Sequence, residues 1–237
     1  MNRLIKADLK RIIAKPGIYV IVTLMVLFVL IRKPADTAAD QLEFYKFFFN
    51  DIGLIFISIP IFLSVYSEDF KSGIMISIIG MGIERKKVVF SKLQNAAALY
   101  AGTYLLLYIA AVTKNVISQL PVTPRQNAYF LLFCVFCVIR GVGVMALASL
   151  VLFLTFSTSG GILVLILAAA SGLGLLGALQ DHTSLPIYDF SYIGLLDKAF
   201  AEFQNGSFGI TLIPALLYLA VVIAVNIITF DRKEMDL

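Results

Sequence analysis

Residues 130 to 154 read FLLFCVFCVIRGVGVMALASLVLFL, an apolar run in which Arg140 is the only charged side chain. A helix needs ~20 mostly apolar residues to cross the ~30 Å hydrocarbon core of a bilayer, whereas apolar runs of ~10–14 residues are more typical of helices buried in soluble domains. This stretch therefore predicts a transmembrane helix.

Similar apolar runs lie on both sides of this stretch. Hydrophobic residues make up 60% of the 237 positions and charged residues 14%, a balance far from that of soluble domains. We predict an all-α integral membrane protein, a single transmembrane domain over residues 1–237 with six transmembrane helices. Their approximate bounds are 16–31, 47–66, 93–112, 130–154, 160–179 and 210–230.

The basic residues are divided unevenly between alternate loops. Residues 1–15, residues 67–92 and the C-terminal tail together hold twelve Lys and Arg, and the intervening loops hold six. The positive-inside rule therefore predicts a multi-pass protein of a cell membrane, bacterial by our interpretation, with both termini in the cytoplasm. Because the basic residues form short clusters between apolar runs, we read them as orientation signals and expect no nucleic-acid partner.

Residues 1–15 have the pattern of an amphipathic helix. Ile5, Leu9, Ile12 and Ile13 recur at helical spacing, and Lys and Arg occupy most of the remaining surface. We expect this N-terminal helix to lie on the bilayer at the cytoplasmic leaflet until Pro16 ends it and the chain enters the membrane.

Two loops are long enough to carry structure of their own. The loop 67–92 contains the apolar stretch GIMISIIGMGI at 73–83, which is too short to cross a bilayer. We expect it to form a short surface helix buried against a partner. The external loop 180–209 mixes apolar and charged residues, which predicts an amphipathic helix at the outer interface.

Few residues could carry chemistry. The chain has no G-x-x-x-x-G-K-[ST] phosphate-binding loop, so we expect no nucleotide cofactor on it. Its single histidine, His182, excludes sites that need two imidazoles, and we expect no metal site. The chain also lacks a G-x-S-x-G elbow and paired carboxylates within a span, so we expect no enzymatic activity of its own. Cys134 and Cys137 lie within an apolar run and read as packing residues. Asp51 and Arg140 are ionisable residues within predicted spans, a costly placement that marks them as a possible translocation or intramembrane pair. A structural pairing of these two, a contact with a substrate, and snorkelling of Arg140 all remain open.

The most specific stretch is SEDFKSGIMISIIGMGIERKKVVFSKL at 67–93. In this stretch an acidic pair and a glycine precede an apolar segment, and a basic cluster follows. The pattern resembles the permease subunits of type-2 ABC transporters, and the similarity in layout extends over nearly the whole chain. The resemblance implies a cytoplasmic coupling helix between helices 2 and 3, with Glu68, Asp69, Gly73, Arg85 and Lys92 as ATPase-coupling residues.

The same resemblance implies the partners and the cargo. A separate ABC ATPase subunit would bind ATP and Mg²⁺, and a second permease, identical or different, would complete the transporter. Compact members of the family resemble exporters of amphipathic or antimicrobial peptides, or of another hydrophobic cargo. Two other hypotheses are an ion-coupled secondary transporter and a structural membrane subunit that transports nothing.

Overall fold

The computed structural model describes residues 2–67, 70, 79–170, 175–183 and 185–232, and this part of the chain is helical with no strand. The helices are α1 (Asn2–Ile13), α2 (Pro16–Ile31), α3 (Ala38–Ser67), α4 (Arg85–Ile117), α5 (Pro124–Thr155), α6 (Thr158–Ala170), α7 (Leu175–Thr183), α8 (Ile187–Phe190), α9 (Tyr192–Gln204) and α10 (Leu212–Arg232). The predicted all-α class is therefore correct.

Within the described residues, four helices are long and apolar enough to cross a membrane, namely α3, α4, α5 and α10. The predicted spans 16–31 and 160–179 correspond to shorter apolar helices. One is α2, and the other is α6, which is followed after residues 171–174 by α7. Residues 171–174 lie outside the described part of the chain. The fold is thus that of a helical membrane protein in which four predicted spans meet the length of a membrane crossing.

Helix α3 contains two π-helical stretches. Thr37 caps its start by accepting a hydrogen bond from the backbone N–H of Asp40. The helix then runs as Ala38–Phe47, the π stretch Phe48–Ile52, the α segment Gly53–Phe62 and the π stretch Leu63–Ser67. Short π stretches inside α-helices are frequent at functional sites. The first of the two carries Asn50 and Asp51, so α3 presents these polar side chains from an irregular segment.

Helix α5 lies at the centre of the bundle, in contact with α3, α4, α6, α9 and α10. A capping box between Thr123 and Gln126, with Pro124 at the first turn, fixes its start. Small residues on α5 accept large neighbours: the ring of Tyr100 on α4 lies over Gly141, and the ring of Tyr192 on α9 lies over Gly143. These close approaches bring α4 and α9 against the middle of α5.

The outer surface of the bundle is largely apolar. Helix α10 buries the smallest part of its apolar length among the four long helices. Its exposed side chains include Leu216, Leu217, Val221, Val225 and Ile228. A continuous apolar surface of this kind is expected where lipid is the solvent, and it is uncommon on soluble monomers.

Helix α9 lies in the segment 180–209, for which the sequence predicts an amphipathic helix, and it packs along α5. The ring of Phe200 contacts the rings of Phe133 and Phe136 at centroid distances of 5.4 and 5.6 Å. The hydroxyl of Tyr192 donates a hydrogen bond to the carbonyl of Ile139 at 2.7 Å. The helix therefore follows the N-terminal half of α5, and its polar residues reach the middle of that helix.

Candidate functional site

The first of two polar clusters joins α1 to the start of α4. The carboxylate of Asp8 accepts hydrogen bonds from Lys92 Nζ at 2.7 Å, Arg11 Nη2 at 2.7 Å and Asn95 Nδ2 at 3.0 Å. The side chain of Lys92 is only 3% exposed, and that of Asp8 is 12% exposed. This shielding from water makes the Asp8–Lys92 pair stronger than an ordinary surface ion pair. We call these four residues the Asp8 cluster.

Arg85 connects the start of α4 to the end of α10. Its Nη1 donates hydrogen bonds of 2.9 Å to the backbone carbonyls of Phe230 and Asp231. The last carbonyls of a helix have no partner within the helix and carry partial negative charge, so a guanidinium is a favourable cap there. The contact holds the C-terminal end of α10 beside the first turn of α4.

Glu84 lies immediately before α4 and pairs with two lysines of its first turn. Hydrogen bonds from Lys87 and Lys86, at 2.8 and 2.9 Å, lower the pKa of the Glu84 carboxyl to about 2. All three side chains are well exposed. Glu84 and Lys86 border a cavity of about 440 Å³, whose walls also include Ile227 and Asp231 of α10.

The structure places two of the five predicted coupling residues. Arg85 and Lys92 both lie in the first turns of α4, at the end of the bundle that carries α1 and the C-terminus of α10. Lys92 is turned inward to Asp8, so it holds α1 and does not present its ammonium at the surface. Glu68, Asp69 and Gly73, and with them most of the predicted coupling helix, lie outside the described residues.

The second polar cluster surrounds Arg140, which is 3% exposed near the middle of α5. Its Nη1 donates a hydrogen bond to Asn50 Oδ1 on α3, and its Nη2 forms an ion pair with Asp197 Oδ1 on α9. The hydroxyl of Tyr188 donates to the other oxygen of Asp197. We call Asn50, Arg140, Tyr188 and Asp197 the Arg140 cluster. It ties α3, α5, α8 and α9 together through one buried cation.

Asp51 lies beside this cluster. Its carboxylate accepts a hydrogen bond of 3.1 Å from Asn50 Nδ2, and the same amide accepts from Arg140 through its oxygen. The two residues singled out from the sequence are therefore linked through Asn50, and the direct carboxylate partner of Arg140 is Asp197. The Nε of Arg140 is buried and has no hydrogen-bond partner among the described residues.

Sequence reasoning missed Asp197, Asn50 and Tyr188. Asp197 falls in a segment read as an external loop, and Asn50 carries no charge to mark it. Burial and the hydrogen bond to Asp197 raise the pKa of the Tyr188 phenol above its usual value, so Tyr188 remains a hydrogen-bond donor at neutral pH. The signal available in the sequence was the amphipathic pattern of α9, whose packing against α5 carries Asp197 inward.

A glycine keeps Tyr188 in place. A Cβ built on Gly194, in the first turn of α9, would lie 2.0 Å from the carbonyl oxygen of Tyr188, a backbone atom that cannot move aside alone. We expect Gly194→Ala to displace α8 and to lower the free energy of unfolding by about 2 kcal/mol, within the range of overpacked cores.

The matched control is Gly177→Ala on α7, where an added Cβ meets no atom within 4 Å. This change should leave the chain as stable or slightly more stable, because alanine favours helix. Both variants can be measured by denaturant titration in mixed micelles. Equal stability of the two variants would contradict the close packing of α8 on α9.

No metal centre is apparent among the residues that the structure describes, where no group of three or more His, Cys, Asp or Glu is placed to hold an ion. Cys134 and Cys137 are free and buried in α5, and His182 is exposed on α7. What the two clusters can do is hold helices in a fixed arrangement through charge. No protein family model, curated protein or solved structure matches this chain.

Proposed function

We propose that this chain is the transmembrane permease subunit of an ATP-driven exporter of the type-2 ABC class. In this proposal it crosses a bacterial cell membrane six times, with both termini in the cytoplasm. It pairs with a second permease, and a separate ATPase subunit binds ATP and Mg²⁺. The resemblance of residues 67–93 to the coupling segment of that class is the starting point.

The observation that carries the proposal is the joining of α1 and of the C-terminal end of α10 to the first turns of α4, where the predicted coupling loop 67–92 ends. The Asp8 cluster fastens α1 to α4, and Arg85 fastens α10 to the same turns of α4. A displacement of the loop would therefore reach α1, α4 and α10 together. This is the arrangement that a subunit driven from one end by an external motor requires.

Helix α4 would carry the motion through the bilayer. It runs unbroken over 33 residues, which at 1.5 Å per residue corresponds to ~50 Å. At its far end Lys114 Nζ donates a hydrogen bond of 2.8 Å to the carbonyl of Leu30 at the end of α2. Polar contacts thus hold α4 to its neighbours at both ends. ATP binding on the partner would favour one of two arrangements of these helices, with no covalent step on this chain.

A hydrophobic or amphipathic cargo, such as an antimicrobial peptide, suits the inner surfaces. An apolar cavity of about 410 Å³ lies between α5, α6, α9 and α10, and its walls include Leu147, Leu167, Ile193 and Tyr218. Sites of this volume and composition bind apolar groups in many proteins. The cavity supports the cargo class in the proposal, and the identity of the cargo is a matter for transport assays.

The proposal is tested by co-purification. The tagged chain, expressed with its neighbouring genes, is extracted in mild detergent and assayed for a bound ATPase by mass spectrometry and ATP hydrolysis. We expect a stoichiometric ATPase, and we expect Glu68→Lys to weaken its binding roughly tenfold, as loss of one docking contact would.

The control variant is Glu43→Lys, an equal charge reversal at an exposed position of α3. It should retain the ATPase fully. Absence of any ATPase together with ATP-independent transport in vesicles would overturn the proposal.

The Arg140 cluster favours a second candidate, an ion-coupled secondary transporter. Ionisable groups buried within membrane-crossing helices commonly mark ion and proton pathways. This candidate requires transport in vesicles that is driven by an ion gradient and is indifferent to ATP. If neither ATP nor an ion gradient drives transport in vesicles, the third hypothesis, a structural membrane subunit, is supported.

A further inference from the structure

An apolar groove of about 420 Å³ lies between α1, α2 and α4, apart from both polar clusters. Its walls are almost entirely hydrocarbon, among them Leu9, Ile13, Val22, Leu99 and Leu106. Gly102 on α4 also borders it, and a Cβ added there would meet no atom within 4 Å. Small residues on α4 thus leave space that the neighbouring helices do not fill.

Charged residues adjoin the groove-lining positions of α1. Leu9 and Ile13 line the groove from α1, and the last turn of that helix carries Lys10 and Arg11. Arg11 is paired with Asp8, while Lys10 is exposed. Lys10 directly follows the groove-lining Leu9 on α1, and an apolar slot with an exposed lysine on an adjoining position matches the two parts of a phospholipid, an acyl chain and an anionic head group.

We propose that this groove binds one acyl chain of an anionic glycerophospholipid from the leaflet on which α1 lies, with the phosphate at Lys10. The bilayer already solvates an acyl chain, so burial alone gives no preference for the groove. The preference comes from the fit of the chain into the slot and from the lysine contact. The site is independent of the transport proposal, because it uses neither the loop 67–84 nor the Arg140 cluster.

The experiment uses the full-length chain in phosphatidylethanolamine vesicles containing a minor fraction of phosphatidylglycerol with a photoactivatable diazirine in one acyl chain. Cross-linked residues are mapped by peptide mass spectrometry. We expect labelling of Leu99 and Leu106 in the groove to exceed that of Val221 and Val225 on the outer face of α10. Phosphatidylcholine that bears the same photoactivatable acyl chain should label the groove about fivefold less. This factor corresponds to the attraction of one lysine or arginine to an anionic membrane surface, about 1 kcal/mol.

Two variants separate the parts of the site. Gly102→Leu places a side chain in the groove at a position where an added Cβ meets no atom within 4 Å, and it should abolish the excess labelling. Gly177→Leu, at a position that is equally open to a Cβ, should not change the labelling. Lys10→Glu should reduce phosphatidylglycerol labelling to the level of phosphatidylcholine.

Three outcomes would overturn the proposal. Equal labelling of the groove and of α10 would show ordinary contact with bulk lipid. Retention of the excess labelling in Gly102→Leu would show that the acyl chain binds outside the groove. Cross-links between two copies of the protein at Leu99 or Leu106, lost in Gly102→Leu, would identify a second copy as the occupant.

Discussion

Replacement of Asp197 by leucine is expected to lower the free energy of unfolding by about 3 kcal/mol. Removal of one partner of a buried charge pair costs about 3–5 kcal/mol, because the remaining charge stays out of water without compensation. Arg140 is 3% exposed, and its Nε already lacks a partner, so it has little access to solvent. The side chain of Asp197 is 37% exposed, which places the expected loss at the lower end of that range.

Denaturant titration in mixed micelles measures this loss. The matched control is Asp189→Leu, which removes the ion pair of Asp189 with Lys198 at 3.1 Å, where both side chains are at least one-third exposed. Such surface pairs contribute about 0–1 kcal/mol. The double variant Arg140→Met with Asp197→Leu should recover much of the stability, since the buried guanidinium that Asp197→Leu leaves without its carboxylate is also removed. Equal losses in Asp197→Leu and Asp189→Leu would show that the Arg140 cluster does not hold α9.

Replacement of Asp8 by leucine is expected to lower the free energy of unfolding by about 2–3 kcal/mol, comparable to the loss of a well-buried hydrogen-bonded charge. One carboxylate accepts from Lys92, Arg11 and Asn95, so a single change removes three hydrogen bonds between α1 and α4 and within α1. Helix α1 should then separate from α4 more readily, while the rest of the bundle keeps its packing.

Limited trypsin digestion detects this separation, because cleavage after Lys10 or Arg11 requires the backbone of α1 to unfold, and α1 unfolds more readily once it has left the bundle. We expect cleavage in Asp8→Leu to be at least about tenfold faster than in the unaltered chain, as follows from a loss of more than 1.4 kcal/mol. Glu84→Gln is the control, since it alters an exposed carboxylate at the same end of the bundle. Unchanged cleavage in Asp8→Leu would mean that apolar contacts alone dock α1.

The all-α class and four of the six predicted spans were accessible from hydropathy, and the bounds of those four helices differ from the predicted bounds. Helix α3 begins at Ala38 instead of 47, and α4 at Arg85 instead of 93, because their first turns contain charged residues that a search for apolar runs excludes. The start of α5 at Pro124, instead of 130, was marked in the sequence by Thr123 and Gln126. Capping residues locate helix ends that lie beyond the hydrocarbon, and hydropathy does not.

The candidate site was accessible only in part. Arg140 and Asp51 stand out because a charge inside an apolar run is costly, whatever surrounds it. The partner of Arg140 is 57 positions away on α9, and its identity depends on how α9 packs against α5. The inward contact of Lys92 with Asp8 spans 84 positions and depends on the path of α1. Contacts of this range follow from tertiary packing, to which periodicity and composition within one segment are insensitive.

The two π stretches of α3 give the protein a means of turning part of a helix in place. Each stretch accommodates one residue more than the regular α-helix would, and one residue corresponds to about 100° of rotation about the helix axis. If a stretch slid along α3 by one turn, the side chains that it passed would swing through that angle while the helix ends kept their positions. The segment Gly53–Phe62 lies between the two π stretches. Asn50 belongs to the first stretch, and Ser64, whose backbone carbonyl accepts a hydrogen bond from Lys15, belongs to the second.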